Sequence, residues 1–254
     1  IRKLIIMDIR ELHYSFKMKM NKIDSNQNRS FLIPEIDFLL NEAQLLFTEW
    51  CYNPRRIPLK SGFEVNQGMI DDLQAITVNE LLVPTIFIDI DNTKYIEATF
   101  PIDYLHFVRA HLIAEINECP RKEYRIFIKQ HDDIIKNDPF QKSSATWGEA
   151  AAEIRGKKIR IIGSSDFDFD GLPASSKVNL IYIKKPDYIH NAADWSVNGY
   201  NDINGNLLTG RVNPEFPDQS CIKIVDIAVM IAAGSILTPN YQTAIQKFSF
   251  NNSQ

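Results

Sequence analysis

The sequence predicts an α+β fold: N- and C-terminal helices packed with an antiparallel β-sheet or small barrel, plus a long projecting loop or β-arm. Three observations lead there. Helical periodicity is concentrated at the two ends of the chain, short β-prone runs fill its middle, and the two do not alternate in regular βαβ units. With 254 residues, 44% of them hydrophobic and 24% charged, the chain has ordinary globular usage and enough length to bury a substantial core. The expectation is a single domain over residues 1–254, with a helical part at 7–82 and 217–250, a β-rich part at 83–186 and the arm at 187–216.

Asp8 with Glu11 three residues later forms a capping-box pattern, and Ile9, Leu12, Phe16, Met20 and Ile23 then recur at helical spacing. Lys17, Lys19 and Lys22 give that helix a solvated face, or a basic face able to meet an acidic partner. Pro34 opens a second helix carrying Ile36, Leu39, Leu40, Ala43, Phe47 and Trp50, which should stop before Pro54 because the residue preceding proline resists the helical conformation. "NQGMIDDLQAI" reads as a short helix. "PTIFIDI", "KYIEATF", "EYRIFIKQ", "KKIRIIG" and "KVNLIYIKK" read as strands, being short and rich in β-branched and aromatic residues. Between them "PIDYLHFVRAHLIAEI" has the spacing of a helix from about Pro101. "PDQSCIKIVDIAVMIAAGSIL" is expected as a buried helix packing on the first two, with "NYQTAIQKF" a short last one.

Residues 187–216 are the least regular region, and a connection this long usually makes contacts or carries function. Asn198-Gly199 and Asn204-Gly205 favour tight hairpin turns. Trp195, Tyr200 and Phe216 supply anchors for docking on a neighbouring surface, or for folding the segment back on its own domain.

The net charge of −4 disfavours a free-standing binder of phosphate backbones, which needs surplus Lys and Arg on one face. Cys51, Cys119 and Cys221 are odd in number and widely spaced, the pattern of reduced thiols and not of a disulfide framework or zinc site. The apolar run near the first residues is too short for a secretory signal, and "IVDIAVMIAAGSIL" is too short to span a bilayer.

"TIFIDIDNT" is the strongest chemical motif. It resembles the stretch by which metal-dependent, haloacid-dehalogenase-like phosphatases present a nucleophilic aspartate beside an acidic partner, which would make Asp89 and Asp91 catalytic. Such a site also needs a hydroxyl, a Lys and metal-holding carboxylates. Ser164 and Lys184 come in suitable order, but the acidic pair Asp132 and Asp133 precedes them. The flanking runs "IFIDI" and "YIEATF" instead predict an antiparallel hairpin with Asp89 and Asp91 at its polar end. In "SSDFDFDGLP", Asp166, Asp168, Asp170 and Gly171 echo a calcium loop, but its glycine is one place early and Lys177 stands where the bidentate glutamate belongs. His106 and His111 are five apart and do not share a helical face. The expectation is therefore no catalytic residue, no cofactor and no metal, with the phosphatase as the rival.

Several longer stretches carry a resemblance. "MDIRELHYSFKMKMNKIDSNQNRSFLIPEIDFLLNEAQLLFTEW", "GFEVNQGMIDDLQAI", "FPIDYLHFVRAHL", "QHDDIIKNDPF", "VNLIYIKKPDYI" and "IKIVDIAVMIAAGSI" are similar, in this order, to the neck (head-to-tail connector) ring proteins of crAss-like tailed bacteriophages. The resemblance covers about residues 7–237, and residues 187–216 run longer and more Asn-rich than its pattern. It implies a non-enzymatic virion subunit assembled in the bacterial host cytoplasm. Such subunits form a twelvefold ring on the portal protein, against other neck or tail ring proteins, and genomic DNA passes their lumen without sequence-specific binding and without a membrane partner.

Overall fold

In the computed structural model, the described residues are 7–23, 31–53, 63–88, 94–114, 122–129, 149–162 and 177–235. They fall into two compact units, one drawn from residues 1–76 and 185–254, the other from 77–184 inserted between those segments. The architecture is α+β, with helices toward both ends of the chain and one large sheet between them.

The first unit is built on α1 (Ile9–Ile23), α2 (Ile33–Tyr52), α3 (Phe63–Leu73) and α4 (Asp218–Ser235). α1 buries the apolar positions its spacing selects, Ile9, Leu12, Phe16 and Met20. α2 starts with Pro34 in its first turn, where the absent N–H costs nothing, and with the Leu32 N–H donating to the Glu35 carboxylate at 2.8 Å. α4 packs on both α1 and α2 through Ile224, Val225, Ile227 and Ala228, all buried. Polar ties fix its register: the Met7 N–H donates to Asp218 at 2.6 Å, Lys19 pairs with Asp226 at 2.6 Å, and Lys223 pairs with Asp72 at 2.7 Å. The short helix expected at 66–76 is α3 followed by a 3₁₀ turn at Gln74–Ile76. The last expected helix, "NYQTAIQKF", lies outside the described residues.

The second unit is an eight-stranded sheet in the order β1-β8-β4-β5-β6-β7-β3-β2. Its strands are β1 (Thr77–Leu82), β2 (Thr85–Ile88), β3 (Lys94–Thr99), β4 (Tyr104–Ala114), β5 (Lys122–Ile128), β6 (Glu149–Arg155), β7 (Lys158–Ile162) and β8 (Lys177–Lys184). Every neighbouring pair is antiparallel except β5 and β6, which run parallel, so the all-antiparallel expectation is corrected at that one place. A single geometric fact curls the sheet. Laid flat, eight strands at the usual spacing set the edges β1 and β2 about 34 Å apart, yet the two are consecutive in the chain, and Val83 and Pro84 can bridge at most about 11 Å. The edges must therefore meet at that corner, as in an incomplete small barrel.

Its core obeys the two-residue period of strands: Ile96, Ala98 and Phe100; Ala110 and Leu112; Tyr124 and Ile126; Ala150 and Ala152; Ile159 and Ile161; Val178, Leu180 and Tyr182. On alternate positions of β3, β7 and β6, Arg160 lies opposite both Glu97 and Glu153 and closes a cross-strand ladder. Burial works to raise the Glu97 carboxyl, but its hydrogen bonds with Lys158 and Arg160 hold it below the ordinary carboxylate value.

Two expectations are corrected in this unit, and one strand, β6, forms where none was assigned. The helix expected from about Pro101 is instead a strand: among the described residues, 104–114 form the longest one of the sheet. Bulges between Tyr104 and His106 and between Phe107 and Arg109 each insert one residue, so Tyr104, Phe107, Ala110 and Leu112 reach one core at steps of three, three and two. Residues 77–82, expected in the helical part, form β1. β6 is written in helix formers, "EAAAEIR", and becomes a strand because Ala150 and Ala152 fit between β5 and β7.

Candidate interaction surface

Residues 185–216 belong to the helical unit, and the sequence of α2 explains how they are held. Beside its apolar stripe, α2 carries Asp37, Asn41, Gln44 and Thr48 at steps of four, three and four, and all four are buried. Asn41 pairs with the backbone of Ile189 as a strand neighbour would: Oδ1 accepts the Ile189 N–H at 2.9 Å and Nδ2 donates to the Ile189 carbonyl at 2.7 Å. Gln44 Nε2 donates to the Asp187 carbonyl at 3.3 Å. Asp37, fully buried, accepts three hydrogen bonds, from His13 Nε2 at 2.7 Å, the Asn191 N–H at 3.0 Å and the Tyr200 hydroxyl at 2.6 Å. Because Asp37 is the acceptor, Nε2 is the ring nitrogen of His13 that carries the proton. One carboxylate thus ties α1, α2 and two points of the 187–216 segment. Burial, then the hydrogen bond to Asp37 and its charge, raise the Tyr200 hydroxyl well above the ordinary phenol value.

A second lock lies at the surface. Asp194 accepts from Arg10 at 2.9 and 3.0 Å, from Arg211 and from Asn191, and the Arg10 bond leads the causes that hold its carboxyl well below the usual range. Beyond these locks the chain forms a small hairpin, β9 (Tyr200–Asn201) and β10 (Leu207–Leu208). Asn204-Gly205 makes its turn, with Gly205 at φ +84°, whereas Asn198-Gly199 makes the bend that enters β9. Gly199 has φ +73°, and a Cβ there would sit 1.8 Å from the Leu208 carbonyl oxygen, so only glycine fits.

The three aromatic anchors part company. Trp195, after the 3₁₀ turn Ala192–Asp194, is 43% exposed and available to a neighbour. Tyr200 is half-buried with its hydroxyl committed to Asp37. Phe216 is fully buried and meets Phe47 edge to face at 5.6 Å, so its assignment to an interface is corrected: it is part of the helical core. Three further apolar side chains of the segment, Val197, Ile203 and Leu207, face solvent, a signal that a search for aromatic anchors passes over, whereas Ile189 and Ala192 are buried.

Acidification is expected to loosen this segment, in two steps of the same sign. Burial pushes the His190 imidazole down, against the nearby Asp37 charge. The unfolded chain therefore takes up a proton near pH ~6.5 that the folded chain refuses, and stability present above that pH falls below it. Asp194, depressed when folded, contributes stability above about pH 4 that is lost as pH falls toward its folded value. Limited proteolysis of 187–216 against pH reads both, with His190→Gln flattening the upper step and Asp194→Asn the lower.

As for catalysis, Asp89, Asp91, Asp132, Asp133, Ser164 and the 166–170 acidic loop lie outside the described residues. The strands flanking 89–93 are described: β2, an edge strand, pairs antiparallel with β3 from Thr85 opposite Glu97 to Ile88 opposite Lys94. That is the flank geometry of the expected hairpin, and not the end of a central parallel strand. Among the described residues no group of three His, Cys, Asp or Glu could hold a metal, and no helix is long and apolar enough to cross a membrane. His111 Nδ1 is occupied by Glu123 at 2.5 Å. Cys51 and Cys221 are free, and burial pushes both thiols up to about 12, away from nucleophilic use; Cys119 lies outside the described residues.

Fold and surface together define, among the described residues, an α+β protein that carries exposed apolar side chains on a polar-locked segment. No protein-family model matches the chain, and no curated protein matches it.

Proposed function

We propose that this chain is a virion structural protein of the crAss-like phage type. It forms a homo-oligomeric ring in the phage neck between portal and tail, extends the DNA channel, and acts by assembly and not by catalysis. The observation that carries the reading within the fold is the 187–216 segment. Hydrogen bonds to Asp37 and Asn41 fix its base, while Trp195, Val197, Ile203 and Leu207 stand exposed beyond it. Apolar side chains held in solvent on an anchored segment suit docking on a neighbouring protein, because the ordering cost is already met in the free subunit. The net charge of −4 suits a channel that DNA slides through, since it avoids the phosphate contacts that hold DNA in place.

Light-scattering mass of the purified chain, alone and mixed with the portal protein of the same phage, tests this. The expected result is a closed assembly of about twelve copies, alone or on the portal. A monomer at every concentration that ignores the portal overturns the reading.

A further inference from the structure

Two exposed helix faces of this chain are complementary to each other. On α1, Arg10, Tyr14 and Lys17 share one solvent-facing side, with Tyr14 68% exposed. On α2, Glu42, Leu45 and Glu49 share another, and α2 contains no Lys or Arg at all. The order of charge and apolar group is basic, aromatic, basic on one helix and acidic, aliphatic, acidic on the other. The spacing matches in one direction only. Read backward along α1 from Lys17 the steps are three and four, and read forward along α2 from Glu42 they are again three and four.

We infer that α1 of one copy packs antiparallel on α2 of a second copy, with Lys17 against Glu42, Tyr14 against Leu45 and Arg10 against Glu49. The occupant is a second copy because the two stripes are written in the same chain with opposite charge. Each stripe faces solvent within its own chain, while the buried sides of α1 and α2 are spent on α4. Pairing two different surfaces gives a heterologous contact, the kind that repeats head to tail and closes into a ring. The inference rests on the reading of the chain as a self-assembling subunit, and it adds which helices join the copies. Arg10 serves this contact with part of its guanidinium, since it also holds Asp194 while its side chain stays 54% exposed.

Charge reversal on the full chain tests it, read by light-scattering mass and by thermal unfolding. Lys17→Glu and Glu42→Lys each place like charges face to face and are expected to weaken association at least about tenfold. At a dilution where the wild type is itself dissociated, their unfolding temperatures should match the wild type's, because both side chains are exposed. The double variant reverses both sides of every contact and should restore the wild-type mass. A wild-type assembly that neither single reversal disturbs, or that the double variant fails to recover, overturns the helix pairing while the assembling-subunit reading stands. A wild type that is monomeric with and without portal overturns both. A two-copy species with the same reversal and rescue pattern supports the helix pairing and overturns the ring.

Discussion

Replacing Asp37 with alanine is expected to cost about 3–5 kcal/mol of unfolding free energy, the range for removing one partner from a buried charged cluster. The size follows from what is left behind. His13 Nε2, the Asn191 N–H and the Tyr200 hydroxyl all donate to this one buried carboxylate, at 2.7, 3.0 and 2.6 Å. Without it, three donors lose their acceptor at a site water does not reach, and an unmade buried hydrogen bond costs far more than a made one returns. Asp37→Asn should be milder, about 1–2 kcal/mol. The amide keeps one accepting oxygen, and where its NH₂ faces His13 the imidazole can change tautomer and accept. Urea unfolding followed by circular dichroism gives the free energies, and hydrogen exchange at Ile189 and Asn191 shows where protection is lost. A cost below about 1 kcal/mol for alanine means that the segment is held by its apolar contacts and that the polar stripe of α2 is incidental.

That stripe also shows where sequence reasoning stops. Ile36, Leu39, Leu40, Ala43 and Phe47 announce α2 because apolar residues at helical spacing must find a core. Asp37, Asn41, Gln44 and Thr48 sit beside them at equally regular spacing, yet polar residues on a helix ordinarily face water. What makes the first three interior is the backbone of Asp187, Ile189 and Asn191, more than a hundred residues away, whose N–H and C=O groups they satisfy, while Thr48 donates to the Gln44 carbonyl of its own helix. The same limit acts in the sheet. The period-two pattern makes β3, β7 and β8 legible, but two bulges disguise β4 as a helix, and the alanines of β6 take their conformation from β5 and β7. The candidate surface was half legible. Trp195 and Tyr200 mark the segment as an anchor, whereas nothing local distinguishes a phenylalanine that will be buried from one that will dock.

Phe216 and Trp195 therefore make a paired test, because composition treats them alike and the structure separates them. Phe216 is fully buried, edge to face with Phe47, and its carbonyl accepts from the Cys221 thiol at 3.3 Å in the first turn of α4. Phe216→Ala removes a fully buried ring packed on Phe47 of α2, and a void in that core closes poorly, so the expected cost is about 3–5 kcal/mol. Trp195→Ala acts on a partly exposed side chain at the end of a short turn, and its cost should stay within about 1 kcal/mol. Assembly should order the two differently. Trp195→Ala leaves a stable subunit whose docking is weakened, whereas Phe216→Ala lowers assembly only in proportion to the unfolded fraction, so a temperature low enough to keep it folded restores it. Unfolding curves and light-scattering mass on the same samples resolve the two behaviours. If Phe216→Ala left stability intact while abolishing assembly, the ring would have to leave its pocket on docking, and the segment would be a hinge and not an anchored arm.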